Sequence, residues 1–312
     1  MRLESITLKQ LRALAAVVRT GSLTDAGAEI GLTTPAIHSQ IKTMEKAVGR
    51  TLVERRRDGT GFASTPTGQI LLDAAARING NLSQAAARVA SLQRGYLGHV
   101  RLSVVSTAKY FAPSLVRMLR DGLPEIEVEM RVGNRERVIS ELAEGGADLA
   151  IMGRPPRVPM VDALPLGPHP HGVILPPGHP LRKEDGFDSS ALIDETFLAR
   201  EEGSGTRALM LRFFDRLGEG AMPKLITLDS NETIKQAVLV ELGIAFLSLH
   251  TVSEELASGR LVALRGPGLP VMRQWYLVRP ADVPAAGAVK RVSDTIVSLA
   301  GCYFPDLPRP AS

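Results

Sequence analysis

The sequence predicts an α+β chain in three parts: a small helical unit with a β-hairpin, a long linker helix, and a C-terminal α/β region. Three observations carry this. Before residue 50, apolar residues recur at helical spacing in three short runs, each opened by a hydroxyl residue. Between residues 66 and 95 they recur every three or four positions, and beyond residue 100 short β-rich runs alternate with helical ones. At 312 residues the chain exceeds one ordinary core, so two or three domains are expected.

The first helix opens at Thr7, with Gln10 completing a capping box, and puts Leu8, Leu11, Leu14, Ala15 and Val18 on one stripe. The second opens at Ser22 with Asp25 three positions on, and its inner face is Leu23, Ala26, Gly27 and Ile30. The third starts from Thr33 with Pro35 tolerated in its first turn. Its inner face is Ile37, Ile41, Met44 and Val48; Thr34, His38, Ser39 and Lys42 face outward. Two short helices, a glycine turn and a helix with a polar outer face make a helix-turn-helix. Residues 51–57 and 61–64 read as strands around the Asp58-Gly59-Thr60-Gly61 turn, a wing carrying Arg55, Arg56 and Arg57.

Charge supports a polyanionic partner for this region. Residues 1–95 hold thirteen basic and seven acidic residues, a balance of +6, whereas the rest holds 24 and 26, a balance of −2. Lys42, Arg55, Arg56 and Arg57 are the candidates for phosphate contacts.

Thr65 and Pro66 begin a long helix. Leu71, Ala75, Ile78, Leu82, Ala85, Val89 and Leu92 form a heptad seam that calls for a partner helix. The domain boundaries are therefore expected at 1–65, 66–95 and 96–312. In the last of these, strands are predicted at residues 100–105, 126–132, 148–152, 172–175, 196–199, 225–228, 244–248 and 272–278. Helices are predicted at 113–120, 136–144, 206–217, 232–241 and 284–299. That alternation implies parallel sheets with covering helices, and the length suits two subdomains.

Four turns carry groups suited to a carboxylate or phosphate at strand ends. These are Ser106-Thr107, Gly133-Asn134-Arg135, Gly153-Arg154-Pro155-Pro156 and Glu202-Gly203-Ser204-Gly205-Thr206-Arg207. The candidate ligand residues are Ser106, Thr107, Asn134, Arg154, Ser204, Gly205, Thr206 and Arg207.

The ordered run Leu11-Arg12-Ala13-Leu14, Gly21-Ser22-Leu23-Thr24-Asp25-Ala26, Leu32-Thr33-Thr34-Pro35-Ala36-Ile37, Leu52-Val53-Glu54-Arg55 and Thr65-Pro66-Thr67-Gly68 resembles the LysR-type transcriptional regulators. The resemblance implies that Thr34, Pro35, His38 and Ser39 face the major groove and that Arg55 reaches DNA from the wing. His38-Ser39 stands where Ser-Arg is usual, which replaces a residue able to grip guanine bidentately. The C-terminal region is then a two-lobed, periplasmic-binding-protein-like effector domain. Its lobes are expected at 96–167 with 269–312 and at 168–268, and the chain crosses between them near 166–168 and 266–270.

Ser106 to Pro113, Gly133 to Glu136, Asp148 to Pro156 and Gly203 to Arg207 together resemble the branch holding activators of Calvin-cycle (RuBisCO) operons. The implied partners are operator DNA, a second copy as dimer and tetramer, and RNA polymerase. No cofactor is implied beyond a phosphorylated or carboxylated co-inducer.

Other classes fare poorly. No nucleophile elbow, Walker loop or metal-ligand spacing appears, and His169, His171 and His179 read as loop histidines. Cys302 is the single cysteine, so an intrachain disulfide is excluded. No run approaches the roughly 18–20 apolar residues of a membrane span, and Met1-Arg2-Leu3-Glu4-Ser5 lacks secretory character. A cytoplasmic location is expected, and no enzymatic activity.

Overall fold

The computed structural model describes residues 3–56, 59–182, 189–217, 221–266, 268–285 and 287–308. They form two compact units, Met1–Ala85 and Ala86–Ser312.

In the first unit, α1 (Leu8–Thr20) carries both halves of the Thr7–Gln10 capping box and ends at Gly21 in the left-handed conformation. α2 (Leu23–Ile30) is capped by Ser22 and α3 (Thr34–Val48) by Thr33. Leu14, Val17, Ala26, Ile37, Ile41, Met44 and Leu52 form the core they share. Gly27 is required there, because a Cβ would lie 2.4 Å from the Leu32 carbonyl oxygen.

β1 (Val53–Arg55) and β2 (Phe62–Ser64) pair antiparallel as the wing. Both are shorter than predicted, and Leu52 explains the start of β1: it is fully buried, and its N–H donates to Glu45 Oε1 at 2.9 Å. Arg57 and Asp58 lie outside the described residues.

α4 (Pro66–Gln93) begins with Thr65 Oγ1 accepting the Gly68 N–H at 3.0 Å. Its heptad seam divides. Leu71 and Ala75 pack into the core of their own unit, so they do not belong to a seam awaiting a partner. Ile78, Leu82, Val89 and Leu92 are exposed, Leu92 by 62%.

The second unit is one sheet ordered β4-β3-β5-β11-β6-β9-β7-β8, with β10 on β6. In chain order its elements are β3 (Gly98–Val105), α5 (Ala112–Gly122), β4 (Ile126–Gly133), α6 (Arg135–Ala143), β5 (Leu149–Met152), β6 (Val161–Leu175) and β7 (Thr196–Arg200). There follow α7 (Gly205–Leu217), β8 (Lys224–Leu228), α8 (Asn231–Leu239), β9 (Ile244–Ser248), α9 (Ser253–Ala257), β10 (Val262–Ala263), β11 (Val271–Pro280) and α10 (Gly287–Ser298).

β3, β4 and β5 are parallel, as are β7, β8 and β9; the long antiparallel pair β6–β11 joins the two sets. Each set has its own core. Leu102, Phe111, Leu149, Ile151 and Trp275 belong to the first, and Val173, Phe197, Phe214, Phe246 and Leu269 to the second. The unit therefore has two lobes, and both crossings run inside paired strands.

β6 leaves the first core at Leu166 and reaches the second at Val173, close to the predicted crossing. The second crossing needs correction. Leu269 is still buried in the second core, and β11 meets the first only at Trp275.

β6 is also far longer than the predicted residues 172–175. Pro165, Pro168 and Pro170 hide its first part, where β6 pairs with β11 alone and β9 joins only from His171. An open side accepts residues that have no N–H to donate.

Candidate functional site

The outer face of α3 leaves Pro35, His38, Ser39 and Lys42 exposed and Thr34 half-buried, opposite buried Ile37, Ile41 and Met44. Thr34 Oγ1 donates to Thr24 Oγ1 at 3.4 Å, tying this helix to α2. Lys42 Nζ lies 2.8 Å from Glu45 Oε2. Burial alone would raise the Glu45 carboxyl, but Lys42 and the N–H groups of Leu52 and Val53 hold it below the usual range. Lys42 is thus already engaged. Arg55 projects from the wing with its guanidinium 5.6 Å above the Phe62 ring.

A second site lies between the lobes, a cavity of about 100 Å³. Among the candidate ligand residues it is lined by Ser106, Thr107, Arg154, Ser204, Gly205 and Thr206. Ser106 Oγ accepts from Arg200 Nη1 at 3.1 Å, and Arg200 is itself buried against Glu201 and Asn231. Thr107 and Thr206 are each 6% exposed, and neither hydroxyl has a partner among the described residues. Ser204, Gly205 and Thr206 form the start of α7, where backbone N–H groups lack intrahelical acceptors and attract anions.

Two sequence-predicted residues do not join the cavity. Asn134 caps α6, its Oδ1 accepting from the Arg137 N–H at 3.0 Å. Arg207 turns away, and its Nη1 donates to the Arg200 carbonyl at 2.8 Å and to Thr227 Oγ1 at 3.3 Å.

Arg135, Arg212, Arg273, His169 and His171 do line it. Helical spacing could have found Arg212: with Gly205, Ala208 and Leu209 it falls on the i, i+3, i+4, i+7 face of α7 that bounds the cavity. Arg273 pairs directly with His169 across the two crossing strands. The two histidines lie in β6 and are buried, not in a loop.

Four guanidiniums, from Arg135, Arg154, Arg212 and Arg273, therefore surround a small space, and none forms an ion pair among the described residues. Arg135 Nη1 donates to the Arg154 carbonyl oxygen. Burial and then the like charge of Arg154 lower the affinity of Arg135 and Arg212 for their protons. Burial pushes His171 down to about 3 and His169 well below its ordinary value, so both are neutral near pH 7.

The helix-turn-helix and the two-lobed unit each match a known family. Residues 8–69 match the bacterial regulatory helix-turn-helix protein, lysR family, and residues 93–300 the LysR substrate binding domain. The chain belongs to the LysR family. It is a transcriptional regulator and not an enzyme.

This LysR-family chain is 53% identical to the HTH-type transcriptional regulator CbbR of Cereibacter sphaeroides, over 99% of both chains. It is 38% identical to the RuBisCO operon transcriptional regulator of Allochromatium vinosum, over 91% of this chain and 94% of that one. The Synechocystis PCC6803 CcmR regulatory domain, solved in complex with 2-PG, superposes with a TM-score of 0.62 at 33% identity. That match covers 65% of this chain and 97% of CcmR's.

Among the described residues no group of three or more His, Cys, Asp or Glu could hold a metal ion. No helix there is long and apolar enough to cross a membrane.

Proposed function

We propose that this regulator controls carbon-fixation genes, and that a small polyanionic metabolite in the arginine-lined cavity sets its response. The unpaired guanidiniums carry this reading. Assembling four like charges in a partly buried space is unfavourable until an anion arrives. A phosphorylated metabolite of the size class of 2-PG meets that demand, and the neighbouring hydroxyls and α7 N–H groups add directed hydrogen bonds. Residues from both lobes line the cavity, so a ligand bridging them shifts the population towards a closed form. Titration calorimetry of the full chain with 2-PG tests this. Binding that weakens with salt is expected; no heat from 2-PG or from other small phosphorylated and carboxylated metabolites sinks the proposal.

The outer face of α3 and the wing supply the DNA contacts: Thr34, Pro35, His38 and Ser39 at base edges, and Arg55 at phosphate. Arg55→Ala should weaken binding to all sequences alike and flatten the salt dependence by about one unit of log K against log salt. Fluorescence anisotropy across a salt series measures this, and an unchanged slope removes Arg55 from the interface.

The exposed Ile78, Leu82, Val89 and Leu92 of α4 pair two copies into a dimer. Ile78→Glu with Leu82→Glu should yield monomers by sedimentation; a fully dimeric double variant would place the contact elsewhere. RNA polymerase is the partner of the DNA-bound form, and the cytoplasm its location.

A further inference from the structure

The two cavity histidines are neutral groups in a site that otherwise recognises charge. His169 is 3% exposed and stacked on Trp275, with ring centroids 3.6 Å apart and planes 12° from parallel. Its Nε2 lies 3.0 Å from Ser248 Oγ, while Nδ1 is buried without a partner. Gly153, which also lines the cavity, lies against this edge of the ring, and a Cβ there would sit 2.8 Å from Nδ1.

We propose that His169 is a ligand-contacting residue of this cavity, offering its Nδ1–H to the bound anion as a neutral tautomer that Ser248 sets. This rests on the anion-site reading above.

Counting donors decides the tautomer. Ser248 is fully buried, and among the described residues His169 Nε2 is the hydrogen-bond partner of its hydroxyl. If Ser248 donates to Nε2, the imidazole proton must sit on Nδ1, and one group is left unmet, a donor beside an anion site. If Nε2–H donates instead, the Ser248 hydroxyl and the Nδ1 lone pair are both stranded, and that lone pair would repel the ligand.

Charge is kept off the ring by what surrounds it. Burial comes first, followed by His171 on the same strand, His250 in the Leu249–Val252 turn and Arg273 on β11. Arg135, Arg154 and Arg212 line the same cavity from α6, the loop after β5 and α7. No carboxylate acts on His169 to favour the imidazolium.

The test uses the full chain with 2-PG and, as a dianion that does not titrate, sulfate. His169→Gln, which moves the amide to the Nε2 position, should weaken 2-PG by about tenfold to a hundredfold. His169→Asn keeps a donor near the Nδ1 position and should recover most of the loss. Nitrogen-15 spectra of labelled histidines should show His169 as neutral Nδ1–H in free and bound forms, and Ser248→Ala should disturb that assignment. Sulfate affinity should be the same at about pH 6 and about pH 8, because nothing in the contact titrates.

If wild type binds 2-PG while His169→Gln binds it equally well, or if the ring is Nε2–H or imidazolium in the complex, the proposal is overturned. Failure of wild type to bind either anion overturns the anion-site reading itself.

Discussion

In the double variant Arg212→Ala with Arg273→Ala, affinity for 2-PG is expected to fall by about two to four orders of magnitude. Each guanidinium contributes a charge-assisted hydrogen bond worth roughly 1.5–3 kcal/mol. Removing two also removes part of the field that offsets desolvation of the ligand. Loss of affinity should not come with loss of fold. Arg212 has Arg154, Arg273 and Arg216 as neighbouring charges, so the ligand-free variant gives up repulsion and should melt no lower than wild type. Arg154→Ala should cost less, because that side chain is exposed to water. Arg207→Ala can act only through Arg200 and Thr227, so its effect on affinity should be smaller still. Calorimetry and thermal melting of the variants separate these expectations. A double variant that binds as tightly as wild type would remove the arginine cavity from consideration.

The second large effect belongs to Trp275→Ala, which should destabilise the two-lobed unit by about 3–5 kcal/mol. Trp275 is fully buried where β11 enters the first core. It stacks on His169, meets Phe111 edge-on with centroids 5.1 Å apart, and donates its indole N–H to His250 Nδ1 at 3.1 Å. Truncation leaves a cavity and a buried acceptor without its donor. For a unit of this size each kcal/mol moves the midpoint by about 2–4 °C, so a fall of about 6–20 °C is expected by calorimetric melting. Trp275→Phe keeps an aromatic face for His169 and should recover part of it. A shift within experimental scatter would mean that the crossing strands draw their stability from elsewhere.

The N-terminal unit was legible because each of its signals is local. A hydroxyl cap, a helical stripe and a left-handed glycine sit within about sixteen residues of one another, and Thr7, Ser22 and Thr33 behave as read, with Gly21 left-handed where α1 ends. The seam of α4 was legible only by half, because spacing cannot say whether Leu71 and Ala75 face a partner or their own core. In the two-lobed unit the parallel strands declared themselves as apolar runs. β6 did not, since its three prolines are tolerated only where β11 alone is its neighbour, and pairing is not written locally.

The cavity shows the same division. Ser106, Thr107 and Thr206 sit at strand ends and helix starts, where motif reasoning looks. Arg273 and His169 reach it from the middle of crossing strands, from positions far apart in sequence that only the folded register brings together. Arg207 and Asn134 were polar groups at the right turns, but the backbone nearby needed them first.

An anion held by these arginines is expected to change how the protein occupies DNA. Nuclease footprinting on the promoter of a RuBisCO operon, with and without 2-PG, tests it most directly when wild type is compared with the Arg212→Ala, Arg273→Ala variant. Both proteins should protect the promoter without ligand, and 2-PG should alter the protected span for wild type alone. An equal change in the variant, or none in wild type at saturating 2-PG, would contradict it.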